Sequence, residues 1–106
     1  MNNLLIIDKP DLLIIATPSG IHYENAKLAL NKGCNVLIEK PVTLKAEQTE
    51  ELYDLARKKK KKIFVAFQNR YNPSIKKTKE ILDKKSFGKI ITVSARLRWC
   101  RYDEYY

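Results

Sequence analysis

Three short aliphatic segments occur in the first two thirds of this 106-residue chain, and each runs into a polar loop. They occupy residues 11–16, 35–39 and 63–67. Uninterrupted aliphatic runs of this length are typical of parallel strands that are buried on both faces of a sheet. The pattern therefore predicts three parallel strands and an α/β fold.

Helices are predicted between these strands. Residues 21–31 have helical spacing, and Gly33 marks the end of that helix. Thr43 stands where the N-cap of a second helix is expected, and that helix runs to the lysine-rich residues 57–62. The order of strand, helix and strand predicts right-handed parallel crossovers. The apolar positions that define the two helices are Ala26, Ala29, Leu30, Leu44, Leu52, Leu55 and Ala56.

A third helix and a different kind of strand follow. Pro73 suits the first turn of that helix, which ends before Gly88. Within residues 90–99 apolar and polar side chains alternate, as is typical of a strand with one covered face in an antiparallel sheet. The change predicts a domain boundary. Residues 1–73 form the first domain, and residues 74–106 form a connecting helix and the start of a second.

The composition narrows the class of protein. No apolar run approaches the width of a bilayer, and the start of the chain lacks the positive charge of a signal peptide. We therefore expect a cytoplasmic protein without a membrane partner. Cys34 and Cys100 lie far apart and the chain has one histidine, so we expect no metal site.

The formal net charge of +9 raises the question of a nucleic-acid partner. Much of the excess lies in residues 57–62, where a helix should end and cations complement the negative end of its dipole. No aromatic residues alternate with these lysines, as a platform for single-stranded nucleic acid requires. We therefore favour a solvated helix end, whose positive field would also suit the phosphates of a dinucleotide or sugar nucleotide.

Candidate chemistry lies where the predicted strands end, because ligands of open α/β sheets bind at the carboxyl ends of the strands. Thr17, Pro18 and Ser19 follow the first strand and allow the close approach of a cofactor, although the same residues also suit an ordinary turn. His22 stands where the next helix starts. It suits hydrogen bonding at that helix start better than catalysis.

Glu39, Lys40 and Pro41 follow the second strand. A lysine at a strand end can hold its ammonium next to a substrate hydroxyl and assist proton transfer. Glu39 could balance that charge or bind a ribose hydroxyl, and Pro41 permits a cis peptide bond. The alternative is an ordinary Glu–Lys pair on the surface.

Planar polar groups follow the third strand. Gln68 and Asn69 offer amides, and Arg70 offers a bidentate donor for a carboxylate or a phosphate. The alternative is a polar connector that ends at Pro73. The sequence leaves these two interpretations open.

Guanidinium and aromatic groups are concentrated near the end of the chain. Arg96 and Arg98 share the polar face of the predicted strand, where they could bind a diphosphate. Trp99 could stack on a base or a sugar beside Arg101. The alternative is a solvated sheet face with Trp99 in the core.

Two of these motifs together resemble a known family. An aliphatic strand that runs into Thr17-Pro18 and His22, followed one helix later by Glu39-Lys40-Pro41, is similar to the Gfo/Idh/MocA family of NAD(P)-dependent oxidoreductases. The resemblance implies the carboxyl-terminal half of a Rossmann-type doubly wound parallel sheet, followed by the first strand of an antiparallel α+β substrate domain. It implies NAD or NADP as the cofactor, contacted by Thr17, Pro18, Ser19, His22, Glu39, Lys40, Pro41, Gln68 and Asn69.

The resemblance also implies a reaction, in which a hydride passes between the nicotinamide and a hydroxyl-bearing carbon of a sugar or sugar nucleotide. Lys40 is implied as the catalytic residue. The third loop and the terminal arginines are similar to the branch of the family that oxidises UDP-N-acetyl-aminosugar uronates at the C3 position. The implied substrate contacts are Lys40, Arg70, Arg98, Trp99 and Arg101.

The glycine-rich loop of the family has no counterpart here, because the three glycines of the chain do not form Gly-x-Gly-x-x-Gly. We therefore expect a fragment that binds dinucleotide weakly and is inactive by itself. Open sheet edges predict homo-oligomers. Two other interpretations stay open: a non-catalytic binding or assembly module with a Rossmann-like core, and a basic nucleic-acid-binding domain.

Overall fold

The computed structural model describes residues 10–103. These residues divide into two compact units, of which the first ends at Tyr71 and the second begins at Asn72. The predicted boundary between residues 73 and 74 stays a prediction about the domains of the protein. No helix in the described part of the chain combines the length and the apolar character needed to cross a bilayer.

The first unit is built on a three-stranded parallel sheet with the order β1-β2-β3. Strand β1 comprises Leu12–Ile15, β2 comprises Asn35–Ile38 and β3 comprises Ile63–Val65. In the register of the sheet Ile15 lies beside Ile38, which lies beside Val65 on the other side. The prediction of an α/β fold with three parallel strands is confirmed.

Two helices supply the rest of the core. A 3-10 turn at Ser19–Ile21 leads into α1, which comprises His22–Asn31, and α2 comprises Ala46–Lys59. Small and branched side chains of both helices pack against alternate residues of the strands. The fully or almost fully buried hydrophobic residues are Ile15, Ala26, Ala29, Leu30, Cys34, Val36, Ile38, Leu52 and Ala56.

The opposite face of the sheet is open within residues 10–103. Leu12, Ile14 and Phe64 are exposed there, and Ile14 retains 65% of its surface. The prediction that the strands are buried on both faces is therefore wrong for this part of the chain. Successive side chains of a strand point to opposite faces, and the residues that pack against α1 and α2 alternate with the exposed ones.

The glycine that ends α1 behaves as predicted. Gly33 has a φ of 83°, and its amide donates to the carbonyl of Leu30 at 2.9 Å. The amide of Cys34 donates to the carbonyl of Ala29 at 3.0 Å. This pair of bonds is the Schellman motif, which satisfies the last carbonyls of the helix and turns the chain into β2.

The prediction that Thr43 caps α2 is wrong, because the helix begins three residues later at Ala46. The Thr43 hydroxyl donates to the carbonyl of Lys45 at 2.6 Å and lies 2.7 Å from the hydroxyl of Thr49. Thr43 therefore closes the loop before the helix. Its hydroxyl is used on a loop carbonyl and a side chain, so no cap bond to a helix amide forms.

The lysine-rich residues 57–62 lie at the end of α2, as predicted. Arg57, Lys58 and Lys59 occupy the last helical turn, and Lys60 takes a left-handed conformation at its end. Because β3 begins directly afterwards, this tract lies at the amino edge of the sheet. The loops that follow the strands lie at the carboxyl edge.

The second unit contains helix α3, which comprises Pro73–Asp83. Pro73 occupies its first turn as predicted, and the Asn72 side chain caps it by accepting from the amide of Ser74 at 2.9 Å. The predicted strand at residues 90–99 does not form, because no strand in the described part of the chain pairs with it. Trp99, expected in a core as one alternative, is exposed.

Candidate functional site

The loops that follow the three strands begin side by side at the carboxyl edge of the sheet. The amide of Glu39 donates to the carbonyl of Ile15 at 2.9 Å, and the amide of Ala66 donates to the carbonyl of Ile38 at 2.9 Å. The parallel ladder thus continues one residue beyond the strands. This edge is where ligands of open α/β sheets bind.

His22 joins the first loop to the second. Its ring is buried, with Nε2 2.7 Å from the carbonyl oxygen of Thr17 and Nδ1 2.8 Å from that of Pro41. The predicted hydrogen-bonding role at the helix start is therefore present, and it reaches across to the loop after β2.

Asn25 is a further residue of this region that the sequence analysis missed. Its amide donates to the hydroxyl of Thr17 at 3.1 Å and so holds the side chain of the first loop. The signal for it was available, because Asn25 lies three residues after His22 and therefore on the same side of α1.

Lys40 is exposed in the second loop. Its amide donates to the carboxylate of Glu39 at 3.3 Å, and the peptide bond from Lys40 to Pro41 is cis, which the sequence permitted. Among residues 10–103 the Lys40 ammonium has no ion-pair partner. It is therefore available to donate to a bound molecule. The Glu39–Lys40 ion pair that the sequence offered as the alternative does not form.

The third loop forms a 3-10 turn at Gln68–Tyr71. Gln68, Asn69 and Arg70 are exposed in it. The amide of Arg70 donates to the carbonyl of Phe67 at 3.0 Å, and its guanidinium lies over the Phe67 ring, 5.2 Å from the centroid. The guanidinium therefore has a cation–π contact with Phe67, and the residue remains exposed.

An apolar groove of about 500 Å³ adjoins the third loop on the open face of the sheet. Its floor is formed by side chains of the strands, and Gln68 is the one candidate residue in its lining. The groove is lined by Leu12, Leu37, Phe64, Val65, Ala66, Phe67, Gln68 and Tyr71.

The remaining candidate residues belong to the second unit. Arg98, Trp99 and Arg101 are all exposed. The guanidinium of Arg101 lies 5.0 Å from the centroid of the Trp99 ring, a cation–π contact. Their role in substrate binding stays a prediction.

The side chains at the carboxyl edge fit the nicotinamide and ribose end of a dinucleotide. Thr17 and Ser19 carry hydroxyls, Gln68 and Asn69 carry amides, and Lys40 carries an ammonium. These groups can donate to and accept from ribose hydroxyls and a carboxamide. The pyrophosphate is usually held by backbone amides of a glycine-rich turn at a helix N-terminus, and the three glycines of the chain form no such motif.

Comparison with known protein families shows which family this chain belongs to. A family described as oxidoreductases with an NAD-binding Rossmann fold, Gfo/Idh/MocA, matches residues 1–67. The chain belongs to this family. The parallel sheet and the Thr17-Pro18 and Glu39-Lys40-Pro41 loops lie within the matched part, so the resemblance derived from these motifs is confirmed at the level of the family.

Individual relatives extend the likeness. The chain is 35% identical over 98 residues to the D-glucoside 3-dehydrogenase of Escherichia coli, covering 92% of this chain and 28% of the relative. It is 36% identical over 87 residues to the D-xylose 1-dehydrogenase (NADP(+)) of Hypocrea jecorina, covering 82% and 22%.

A solved structure supports the fold. The WlbA dehydrogenase from Chromobacterium violaceum, crystallised with NADH and UDP-GlcNAcA, matches with a TM-score of 0.80 at 33% identity, covering 83% of this chain and 26% of that one. The chain thus spans about a quarter of the length of the proteins that it matches.

Proposed function

We propose that this chain carries the nicotinamide half of a cofactor site in an oxidoreductase that moves a hydride between NAD(P) and a hydroxyl-bearing carbon of a sugar or sugar nucleotide. The observation that carries the proposal is the exposed Lys40 ammonium, which has no ion-pair partner within residues 10–103 and lies in the middle one of three polar loops at the carboxyl edge of a parallel sheet. Membership of the family and the sugar dehydrogenases among the relatives support it.

Lys40 has the catalytic role in this proposal. As the carbinol is oxidised, the neutral amine of Lys40 accepts the proton of the substrate hydroxyl, and in the reverse direction the resulting ammonium returns that proton to the carbonyl oxygen. The nicotinamide, when bound, supplies the acceptor for the hydride. The carboxylate of Glu39 accepts a hydrogen bond from the backbone amide of Lys40 at 3.3 Å.

The other loop residues bind and orient. Thr17 and Ser19 contact the ribose, and Gln68 and Asn69 contact the carboxamide end of the cofactor. Arg70 binds an anionic group of the substrate with the edge of its guanidinium. Further contacts to the cofactor come from Pro18, Glu39 and Pro41, and further contacts to the substrate come from Arg98, Trp99 and Arg101. His22 is buried and supports the cofactor site through its contacts to the loops of Thr17 and Pro41.

A sugar nucleotide with a uronate group is the substrate class that we favour. Arg70, Arg98 and Arg101 supply guanidinium groups for a carboxylate and a diphosphate. A neighbour of similar fold was crystallised with UDP-GlcNAcA. The chain then acts as part of a longer, self-associating cytoplasmic enzyme, and by itself it binds the cofactor weakly and is inactive.

NADH and NADPH titrations of the isotope-labelled chain, followed by amide chemical shifts, test the proposal. We expect a Kd on the order of 1 mM, about −4 kcal/mol, because the pyrophosphate contributes little binding. The shifts should be concentrated at Thr17, Lys40 and Asn69. Lys40→Ala should weaken binding severalfold, whereas Lys58→Ala at the opposite edge should leave it unchanged.

Two results would contradict the proposal. One is a set of shifts centred on residues 57–62, which would mean that the cofactor is attracted only by the lysine tract. The other is equal weakening by the two substitutions. Salt-dependent binding of DNA or RNA at that tract would instead favour the nucleic-acid interpretation.

A further inference from the structure

The two contacts of His22 require a hydrogen-bond donor at each nitrogen of its ring. Nε2 lies 2.7 Å from the carbonyl oxygen of Thr17, and Nδ1 lies 2.8 Å from the carbonyl oxygen of Pro41. A carbonyl oxygen only accepts hydrogen bonds, so each ring nitrogen must donate. A neutral imidazole has one N–H group, and its other nitrogen would direct a lone pair at an oxygen at hydrogen-bond distance.

We propose that His22 is held with both ring nitrogens protonated and acts as a positioning residue that ties the loop after β1 to the loop after β2. The protonation follows from the two contacts alone. The consequence for a bound cofactor and substrate rests on the proposed function, because Thr17 and Lys40 lie in the two loops that His22 joins.

Burial makes a charge on the ring less favourable, and it also makes the two hydrogen bonds of the ring stronger. The residue is 1% exposed, so a charge on the ring is deprived of water. Two hydrogen bonds to carbonyl oxygens compensate, since bonds from an ionised donor are stronger than those from a neutral one. Both oxygens are backbone groups and present negative ends of dipoles whatever the sequence around them.

Charged groups on the surrounding segments have both signs. Glu39 and Lys40 stand in the loop that the Nδ1 contact reaches, and they carry opposite charges. On α2 the carboxylate of Glu51 is bonded to Tyr23 and Lys27 of α1. On α1 itself the residues Tyr23, Glu24 and Lys27 follow the ring within five positions.

The coupling has a direct structural effect. Pro41 follows Lys40, so the Nδ1 contact fixes the backbone next to the proposed catalytic ammonium. Thr17, at the other contact, is also held by Asn25. Loss of either donor on the ring would release one loop from the other while the parallel ladder beneath them stays intact.

The protonation can be observed directly, because His22 is the one histidine of the chain. Long-range proton–nitrogen spectra of the ¹⁵N-labelled chain at neutral pH report the state of each ring nitrogen. We expect two nitrogens with shifts typical of N–H groups and two ring protons protected from exchange. One nitrogen with the shift of an unprotonated imidazole would overturn the proposal.

The positioning role is tested with His22→Gln, whose amide can serve one carbonyl as donor but not two opposed ones. Amide shifts of Ser19 and Lys40 should both change and the affinity for NADH should fall severalfold, with the shift of Val36 unchanged. Tyr23→Phe, which removes a hydroxyl that bonds outside the loops, is the matched control.

Loop shifts that stay at their original values in His22→Gln would overturn the positioning role. Should that variant fail to fold, the ring spectrum of the unsubstituted chain still decides the protonation. Absence of cofactor binding would contradict the proposed function and leave the ring measurement unaffected, so the two failures are distinguishable.

Discussion

Similar strand-like sequence patterns give different structures in the two compact units of the chain. In the first unit, aliphatic segments separated by helices form a parallel sheet, and the helices bury one face of that sheet. In the second, residues 90–99 have a regular alternation of apolar and polar side chains and yet pair with no strand of the described chain. Val93 is 81% exposed, whereas Val36 in β2 is fully buried.

Helix α3 shows what the second unit does retain. It is supported by contacts close in sequence: the Asn72 cap, the hydroxyl of Thr78 donating to the carbonyl of Ser74 at 2.8 Å, and ion pairs of Glu80 with Lys77 and Lys84. None of its residues is buried. Local signals therefore form a helix without a core, but a strand requires a neighbouring chain segment.

The largest difference in the free energy of unfolding is expected between two matched proline substitutions, one in each unit. The amide of Val36 donates to the carbonyl of Lys62 at 3.0 Å inside the core. Val36→Pro removes that bond and the buried side chain, so the free energy of unfolding should fall by about 3 kcal/mol or more. Val93→Pro should change it by less than about 0.5 kcal/mol.

Urea titrations followed by far-ultraviolet circular dichroism measure both variants. A comparable loss of stability in Val93→Pro would contradict this difference between the two units, because it would mean that residues 90–99 pair with another strand in solution. Self-association through that segment, which the sequence predicts, would then be the first explanation to examine.

A smaller effect is expected at the cap of α3. Asn72→Ala removes the acceptor for the amide of Ser74, and such caps contribute about 1 kcal/mol to a helix. Carbon chemical shifts of residues 73–83 should lose helical character, while the urea midpoint of the first unit stays unchanged. Asn72→Asp should restore the helix, because an aspartate at this position accepts the same bond.

A coupled change in both units would contradict that expectation. It would show that α3 is stabilised by packing as well as by its local contacts. The rescue by Asn72→Asp separates the cap from a general effect of the substitution.

The smallest effects concern two exposed carboxylates. Hydrogen bonds from Lys27 and then from Tyr23 hold the pKa of Glu51 below its usual range and tie α1 to α2. Bonds from Lys84 and then from Lys77 lower the pKa of Glu80 within α3. A lowered carboxylate pKa stabilises the folded state above the range where an unfolded glutamate titrates.

Glu51→Gln should therefore reduce the stability of the first unit slightly at neutral pH, and Glu80→Gln should only increase fraying of α3. In both cases the difference from the unsubstituted chain should disappear as the pH falls through the lowered pKa. Urea titrations between neutral pH and pH 3 measure this. A difference that grows towards acid would contradict the assigned cause.

Sequence patterns anticipated much of the first unit because they reflect local chemistry. The three strands follow from aliphatic runs, and the Gly33 helix end and the Pro73 helix start follow from backbone preferences of single residues. The cis bond before Pro41 was permitted by the sequence. Thr43 was assigned the wrong role because a hydroxyl can bond to a loop carbonyl as readily as it caps a helix. Which of these it does depends on where the chain lies after Pro41.

The sequence by itself determined the strand–loop pattern, the family and the identity of the polar groups at the carboxyl edge, since these depend on residue type and spacing. Only the tertiary structure decided which sheet face is covered, that residues 90–99 pair with no strand among the described residues and that His22 spans from Thr17 to Pro41. Each of these depends on segments that are distant along the chain. Covalent neighbours cannot specify such contacts, because burial and strand pairing arise only when those segments meet.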